Sequence, residues 1–184
     1  MNFIERYDGA LTSLECESLI RIFENCSSKK KGKSGGVVDP TLKISTAMDL
    51  YFNEDNLVNN VIVPPLKKCL NKYRKKYPLI DGMGAWKNEN NYHIQKYEED
   101  EGYFVKHCEQ AHISTSKRIL VWMIYLNNAQ SGTRFYHQRI DMKPRTGRLV
   151  LWPAAWTHTH SGITPNKGNK YIVTGWFELT DNDK

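Results

Sequence analysis

The pattern of apolar residues changes its period near Gly82. Upstream, they recur three and four apart. Cys16, Leu19, Ile20 and Phe23 form one such stripe, and Leu57, Val61, Ile62, Leu66, Cys69, Leu70 and Tyr73 form another. That spacing places them on one face of a helix. Downstream the helical period is lost, and short runs rich in Val, Ile, Tyr, Phe and Trp alternate with turn residues. Strands are expected at about 92–97, 103–108, 118–126, 133–136, 139–142, 147–151, 158–160 and 171–179. A chain with helices first and many short strands afterwards must bury the strands against each other and lay the helices outside them. The expected class is α+β, mainly β, as a sandwich or jelly roll.

Local signals refine the first half. Thr12-Ser13-Leu14-Glu15 can form a capping box, so a helix is expected from Thr12 until about Asn25, after a short strand. A second helix, about 53–77, is expected in two parts, because Pro64-Pro65 should break or restart it. Lys67, Lys68, Lys72, Arg74, Lys75 and Lys76 crowd its other side and read as a solvated face before a nucleic-acid patch. Residues 27–36 are small and charged, and predict a solvated loop, with a lid or a basic contact as the functional alternative. Val37-Val38 and Ile44 can belong to short strands.

With 184 residues, 40% hydrophobic and 25% charged, the chain is expected to form one domain (1–184) with a proper core. No apolar run approaches membrane-spanning length. Acidic residues interrupt the N-terminus at once, so no leader is expected, and the expected location is cytoplasmic. The four cysteines, Cys16, Cys26, Cys69 and Cys108, have no Cys-x-x-Cys pairing and read as free thiols. The formal charge of +6 would help an acidic partner approach.

Three stretches carry the chemistry. They are Tyr103-Phe104-Val105-Lys106-His107-Cys108-Glu109, His158-Thr159-His160-Ser161-Gly162, and Lys170-Tyr171-Ile172-Val173-Thr174-Gly175-Trp176. Read as a strand, the first aims His107 and Glu109 at one point, because residues two apart share a face. A histidine from a distant strand would complete two imidazoles and one carboxylate, a set that holds Fe(II) and leaves positions open. His158 and His160 both compete for that place. His93, His112 and His137 stand in no such register, with His112 near the mouth of the site.

These residues resemble the Fe(II)- and 2-oxoglutarate-dependent dioxygenases, and within them the prolyl 4-hydroxylase-like branch. In similar proteins a histidine and an acid two residues apart precede a distal histidine, with a basic residue ten positions later. His107, Glu109, His160 and Lys170 fit that order, and Gly162 and Trp176 fit positions beside it. Ser131-Gly132-Thr133-Arg134-Phe135 looks like a shortened Gly-Gly-x-Thr-x-Phe strand, and Tyr125-Leu126-Asn127 like the strand end before it. The resemblance covers about residues 90–178. It selects His160 over His158, which becomes a supporting or core histidine. Glu109 departs from it, since the family usually has aspartate there, one methylene shorter.

The resemblance implies a double-stranded β-helix over about 82–180, with covering helices within 12–76. It implies Fe(II) and 2-oxoglutarate, with ascorbate as a further candidate cofactor, and catalysis resting on His107, Glu109, His160 and Lys170. Lys170 would meet the far carboxylate of 2-oxoglutarate, with Arg148 or Arg134 next in line. Tyr97 and Thr133 would add hydrogen bonds, and Trp176 would wall the pocket. Oxidative loss of carbon dioxide would then yield succinate and an oxidant for a C–H bond. A peptidyl proline or similar residue is the expected target, on a peptide or protein. Trp152, Trp156 and Tyr103 are candidate substrate contacts, within loops near 29–36, 98–102 and 152–157. Two rivals remain: demethylation of nucleic acid, and a non-catalytic jelly-roll binding module with a degenerate metal site.

Overall fold

The computed structural model describes residues 1–54 and 56–181. The chain runs β1 (Glu5–Tyr7), α1 (Ser13–Asn25), β2 (Lys30–Lys31), β3 (Thr46–Tyr51), α2 (Leu57–Lys76), β4 (Trp86–Asn88), β5 (Asn91–Tyr97) and β6 (Arg118–Tyr125). It continues with β7 (Gly132–Phe135), β8 (Ile140–Met142), β9 (Arg148–Pro153), β10 (His160–Ile163) and β11 (Lys170–Leu179). Eight strands form a main sheet in the order β1-β9-β6-β11-β5-β3-β2, with β4 also on β11. Strands β10-β7-β8 form a smaller one. Every pairing is antiparallel. This is the double-stranded β-helix, a jelly roll. Three strands of the main sheet come from upstream of Gly82, so the first half supplies sheet as well as covering helices.

Side-chain alternation separates the two faces of the main sheet. On β6, Leu120, Trp122 and Ile124 point outward with Leu149, Leu151 and Val173, and meet Cys16, Leu19 and Phe23 of α1 and Ile62, Leu66 and Tyr73 of α2. Val121, Met123 and Tyr125 point inward, and pack with Trp152 and Ile172 against Phe135 and Met142 of the small sheet. Helix α1 begins as expected: the Thr12 hydroxyl accepts from the Glu15 N–H, and the Glu15 carboxylate accepts from the Thr12 N–H.

Three local expectations fail for identifiable reasons. Helix α2 is not interrupted at Pro64-Pro65. Each proline costs about 3 kcal/mol or more in a helix interior. Val58, Ile62, Leu66, Cys69 and Tyr73 continue one buried stripe through the break, and each fully buried apolar side chain contributes about 1.5–3 kcal/mol. Packing therefore outweighs the lost hydrogen bonds. The segment 103–108 is not a strand. The Gly162 N–H donates to the Tyr103 carbonyl, and His107 exchanges both backbone hydrogen bonds with His160. Phe104, Val105 and Lys106 thus stand opposite Ser161 alone and bulge outward. Finally, Trp156–His158 is a 3-10 turn, and β10 begins only at His160, so His158 and His160 do not share a strand face.

All four cysteines are free. Among the described residues, no helix is long and apolar enough to cross a membrane. The lysines and Arg74 of α2 lie exposed on a helix that covers the outer face of the sheet.

Candidate active site

The inner face of the main sheet opens onto a cleft of about 1030 Å³. Strand parity explains its lining. His93, Gln95 and Tyr97 of β5 and Lys170, Ile172, Thr174 and Trp176 of β11 share the inward face, and Lys170 lies directly opposite Tyr97 in the register. Thr133 of β7 and His160 and Gly162 of β10 face them from the small sheet.

His107, Glu109 and His160 meet in this cleft, with one ligand atom from each within 4.8 Å of the others. The bulged segment still brings the first two together. His107 is held by its double bridge to His160, and the Glu109 N–H donates to the Ala154 carbonyl at 3.1 Å. Both imidazoles are fixed from behind. His107 Nδ1 lies 2.9 Å from the Val105 carbonyl, and His160 Nδ1 lies 2.9 Å from the His158 carbonyl. A carbonyl only accepts, so each Nδ1 carries the proton and each Nε2 presents a lone pair. Both Nε2 atoms stand 3.5 Å from Glu109 Oε1. Burial, and then the neighbouring His160, depress the His107 pKa, which favours the neutral ring. Against the opposing effect of burial, the Glu109 carboxyl lies well below its ordinary range and is an anion. Two lone pairs and an anionic oxygen converging without a proton among them repel each other until a cation sits between them. The set fits a divalent metal such as Fe(II).

The other oxygen of Glu109 is supported separately. Oε2 accepts from Trp176 Nε1 at 2.9 Å and lies 3.6 Å from the Arg118 guanidinium. Arg118 stacks 3.7 Å from the Trp176 ring and holds Glu89 through two hydrogen bonds, at 2.6 and 2.9 Å. Trp176 therefore orients the carboxylate as well as walling the cleft. The longer glutamate arm reaches both partners: one oxygen faces the histidines, the other the indole.

Lys170 is 3% exposed, its ammonium 4.4 Å from the Tyr97 ring centre. Burial, with Lys43 nearby, lowers its pKa to about 7. Among the described residues, neither Lys170 nor Lys43 forms an ion pair. A desolvated ammonium without a counter-charge is costly, and the carboxylate of a ligand would relieve it. The Tyr97 hydroxyl donates to Gln95 Oε1 at 2.7 Å, and Thr133 Oγ1 lies 2.8 Å from the Tyr125 hydroxyl. Arg148 and Arg134 are unavailable as substitutes, since they pair with Asp8 and Asp141.

The remaining candidates separate. Tyr103 stacks on His107 with ring centres 3.7 Å apart, and its hydroxyl lies 2.8 Å from Ser34 Oγ. Trp152 is buried against Phe135 and His160, as a wall of the site rather than a platform. Trp156 is 69% exposed on its turn, beside His137. His158 Nε2 lies 2.8 Å from the Asn2 carbonyl and Nδ1 3.0 Å from Thr157 Oγ1, so it serves the core. His112 lines the cleft. The 27–36 segment reaches the mouth as a tight hairpin. Ser34 and Val37 exchange backbone hydrogen bonds around Gly35 and Gly36, whose φ values of 57° and 84° suit glycine.

Sequence reasoning missed Lys43 and Arg118. Lys43 is 6% exposed, its ammonium 3.3 Å from Gln95 Oε1 and 4.9 Å from the Tyr103 ring centre. A lone lysine between Leu42 and Ile44 was the available signal.

Residues 92–178 match the family model of the 2OG-Fe(II) oxygenase superfamily. The chain resembles the 2OG-Fe(II) oxygenases, in sequence over that stretch and in fold over nearly its whole length. A viral collagen prolyl hydroxylase from Paramecium bursaria Chlorella virus-1, solved with 2OG, superposes with a TM-score of 0.69 at 18% identity, covering 97% of each chain. A prolyl-4-hydroxylase from Pseudomonas putida gives 0.72 at 14% identity, covering 98% of this chain and 95% of that one. A prolyl hydroxylase from Trichoplax adhaerens, in complex with a hypoxia inducible factor peptide fragment, gives 0.72 at 14% identity, covering 97% and 84%. No curated protein matches the chain by sequence. The 2OG-Fe(II) oxygenase match implies Fe(II) and 2-oxoglutarate, and it spans His107, Glu109, His160 and Lys170.

Proposed function

We propose that residues 1–184 form one Fe(II)- and 2-oxoglutarate-dependent oxygenase domain that hydroxylates a C–H bond of a peptide, at a prolyl or similar residue. The observation that carries this reading is the convergence of His107 Nε2, His160 Nε2 and Glu109 Oε1 in the cleft that also holds the unpaired Lys170. When bound, Fe(II), 2-oxoglutarate and O2 supply an oxidant for a C–H bond; one oxygen atom ends in succinate, the other in the new hydroxyl, and carbon dioxide leaves. Ascorbate would be an accessory reductant.

The residues of the chain divide the remaining work. His107, Glu109 and His160 hold the metal and leave part of its coordination sphere open. The Val105 and His158 carbonyls keep both imidazoles in the ligating tautomer. Lys170 anchors the far carboxylate of 2-oxoglutarate, with Tyr97 and Thr133 beside it. Trp152 and Trp176 exclude water from the inner cleft. Tyr103 and the hairpin at Ser34 border the place where a substrate enters.

A peptide is favoured because the neighbours in fold are prolyl hydroxylases, one of them solved with a peptide. Nucleic acid is the second reading, favoured by Lys31, Lys33 and Lys106 around the mouth. The four free thiols fit a reducing compartment such as the cytoplasm. Proline-containing peptides and methylated oligonucleotides, incubated in parallel with Fe(II), 2-oxoglutarate and ascorbate, decide between them. The expected result is a peptide heavier by one oxygen atom, in step with succinate release. Loss of a methyl group from the oligonucleotide instead would move the assignment to nucleic acid.

A further inference from the structure

Lys43 is a second buried cation in the cleft, and the roles assigned above leave it without one. It lies just upstream of β3, where its backbone bridges to Tyr103. Its ammonium has three donors. The Gln95 oxygen it reaches at 3.3 Å also accepts the Tyr97 hydroxyl. Buried donors without partners are costly, and so is an unpaired charge. Its position is specific. Lys43 lies over the Tyr103 ring, which stacks on His107, and stands 6.0 Å from the Tyr97 ring centre. Lys170 approaches the same Tyr97 ring more closely, at 4.4 Å. The two ammonium groups therefore share the Tyr97 ring, and Lys43 also reaches the Tyr103 ring that stacks on His107 of the metal-ligand set.

We propose that Lys43 binds the carboxylate at the metal end of the 2-oxo acid, while Lys170 takes the far one. The cleft thus meets a dianion with two cations. Lys43 then acts on any 2-oxo acid, whereas Lys170 acts only on those with a second carboxylate. This rests on the 2-oxoglutarate-dependent reading, and the experiment separates the two.

Binding of 2-oxoglutarate and of 2-oxopentanoate, which lacks the far carboxylate, is measured by calorimetry without oxygen on the Mn(II)-loaded protein. Wild type, Lys43→Met, Lys43→Gln and Lys170→Met are compared, with circular dichroism and Mn(II) affinity checking that each variant folds and keeps metal. Both Lys43 variants are expected to weaken both acids by about ten- to hundredfold, the worth of a charge-assisted hydrogen bond. Lys170→Met is expected to weaken only 2-oxoglutarate. Unchanged 2-oxopentanoate binding in the Lys43 variants overturns the role of Lys43 and leaves the oxygenase reading standing. A wild-type protein that binds Mn(II) but neither acid overturns the oxygenase reading, and the role of Lys43 with it.

Discussion

The two faces of the main sheet are made by the same strands and have opposite contents. On β11, Tyr171, Val173 and Phe177 enter the core under the helices, while Lys170, Thr174 and Trp176 face the cleft. The outer face is sealed by α1 and α2 with apolar side chains. The inner face keeps two desolvated lysines, two imidazoles and a carboxylate within a small volume. Alternation along a strand lets one element serve both purposes without compromise. The outer face holds core alone, whereas the inner face holds a second apolar core and, beside it, unfavourable charge that a ligand can relieve.

That contrast can be broken most forcefully on the outer face. Trp122 is fully buried there, among Phe52, Tyr92 and the α2 stripe. Trp122→Ala is expected to lower unfolding free energy by about 3–5 kcal/mol, read from urea denaturation.

The inner face should answer in the opposite sense. Lys170→Met removes a buried charge. It should leave the ligand-free protein as stable or more stable at pH 6, while weakening 2-oxoglutarate binding by about two to three orders of magnitude. The pH dependence follows from the same lysine. Its pKa in the folded protein is lowered from 10.5 to about 7, so folding is penalised below about pH 7, where the group is charged in both states. The penalty fades as pH rises toward the unfolded value. Binding the dicarboxylate requires the charged form. Affinity should therefore be flat below about pH 7 and fall about tenfold per pH unit above it. Calorimetry across pH 6 to 9, in buffers of different ionisation enthalpy, would show the proton uptake; no uptake at pH 8 would mean that Lys170 is not the anchor.

A smaller effect tests the join between the faces. Trp176→Phe keeps the wall but deletes the hydrogen bond to Glu109 Oε2. Metal affinity should fall about 10- to 100-fold, with 2-oxoglutarate affinity for the metal-loaded form nearly unchanged. Competition with a chromophoric chelator measures the first, and calorimetry the second.

Legibility in the sequence followed the same division. Residues on regular strands could be read, because spacing fixes the face. Tyr97 and Lys170 come out opposite each other, and His160 stands across from Phe135 and near Thr133. The capping box of α1 was equally plain. What could not be read lay where the chain leaves regular geometry. The bulge at 104–106 hid that His107 is held by a two-residue bridge rather than a strand. Lys43 stands alone, and only the pairing of its segment with Tyr103 carries it inside. Arg118 opens β6 and looks like an ordinary surface charge until Glu89, Trp176 and Glu109 are seen around it. Pro64-Pro65 misled because the cost of a proline is local, whereas the stripe that overrides it spans the helix.

The choice of the distal histidine is the most direct test. Anaerobic addition of Fe(II) and 2-oxoglutarate should produce a visible charge-transfer band, which forms when a 2-oxo acid chelates ferrous iron. The band should appear in the wild-type protein and in His158→Ala, whose ring serves the Asn2 carbonyl and Thr157. It should be absent in His160→Ala. A band that survives His160→Ala and vanishes in His158→Ala would contradict the metal site assigned to His107, Glu109 and His160.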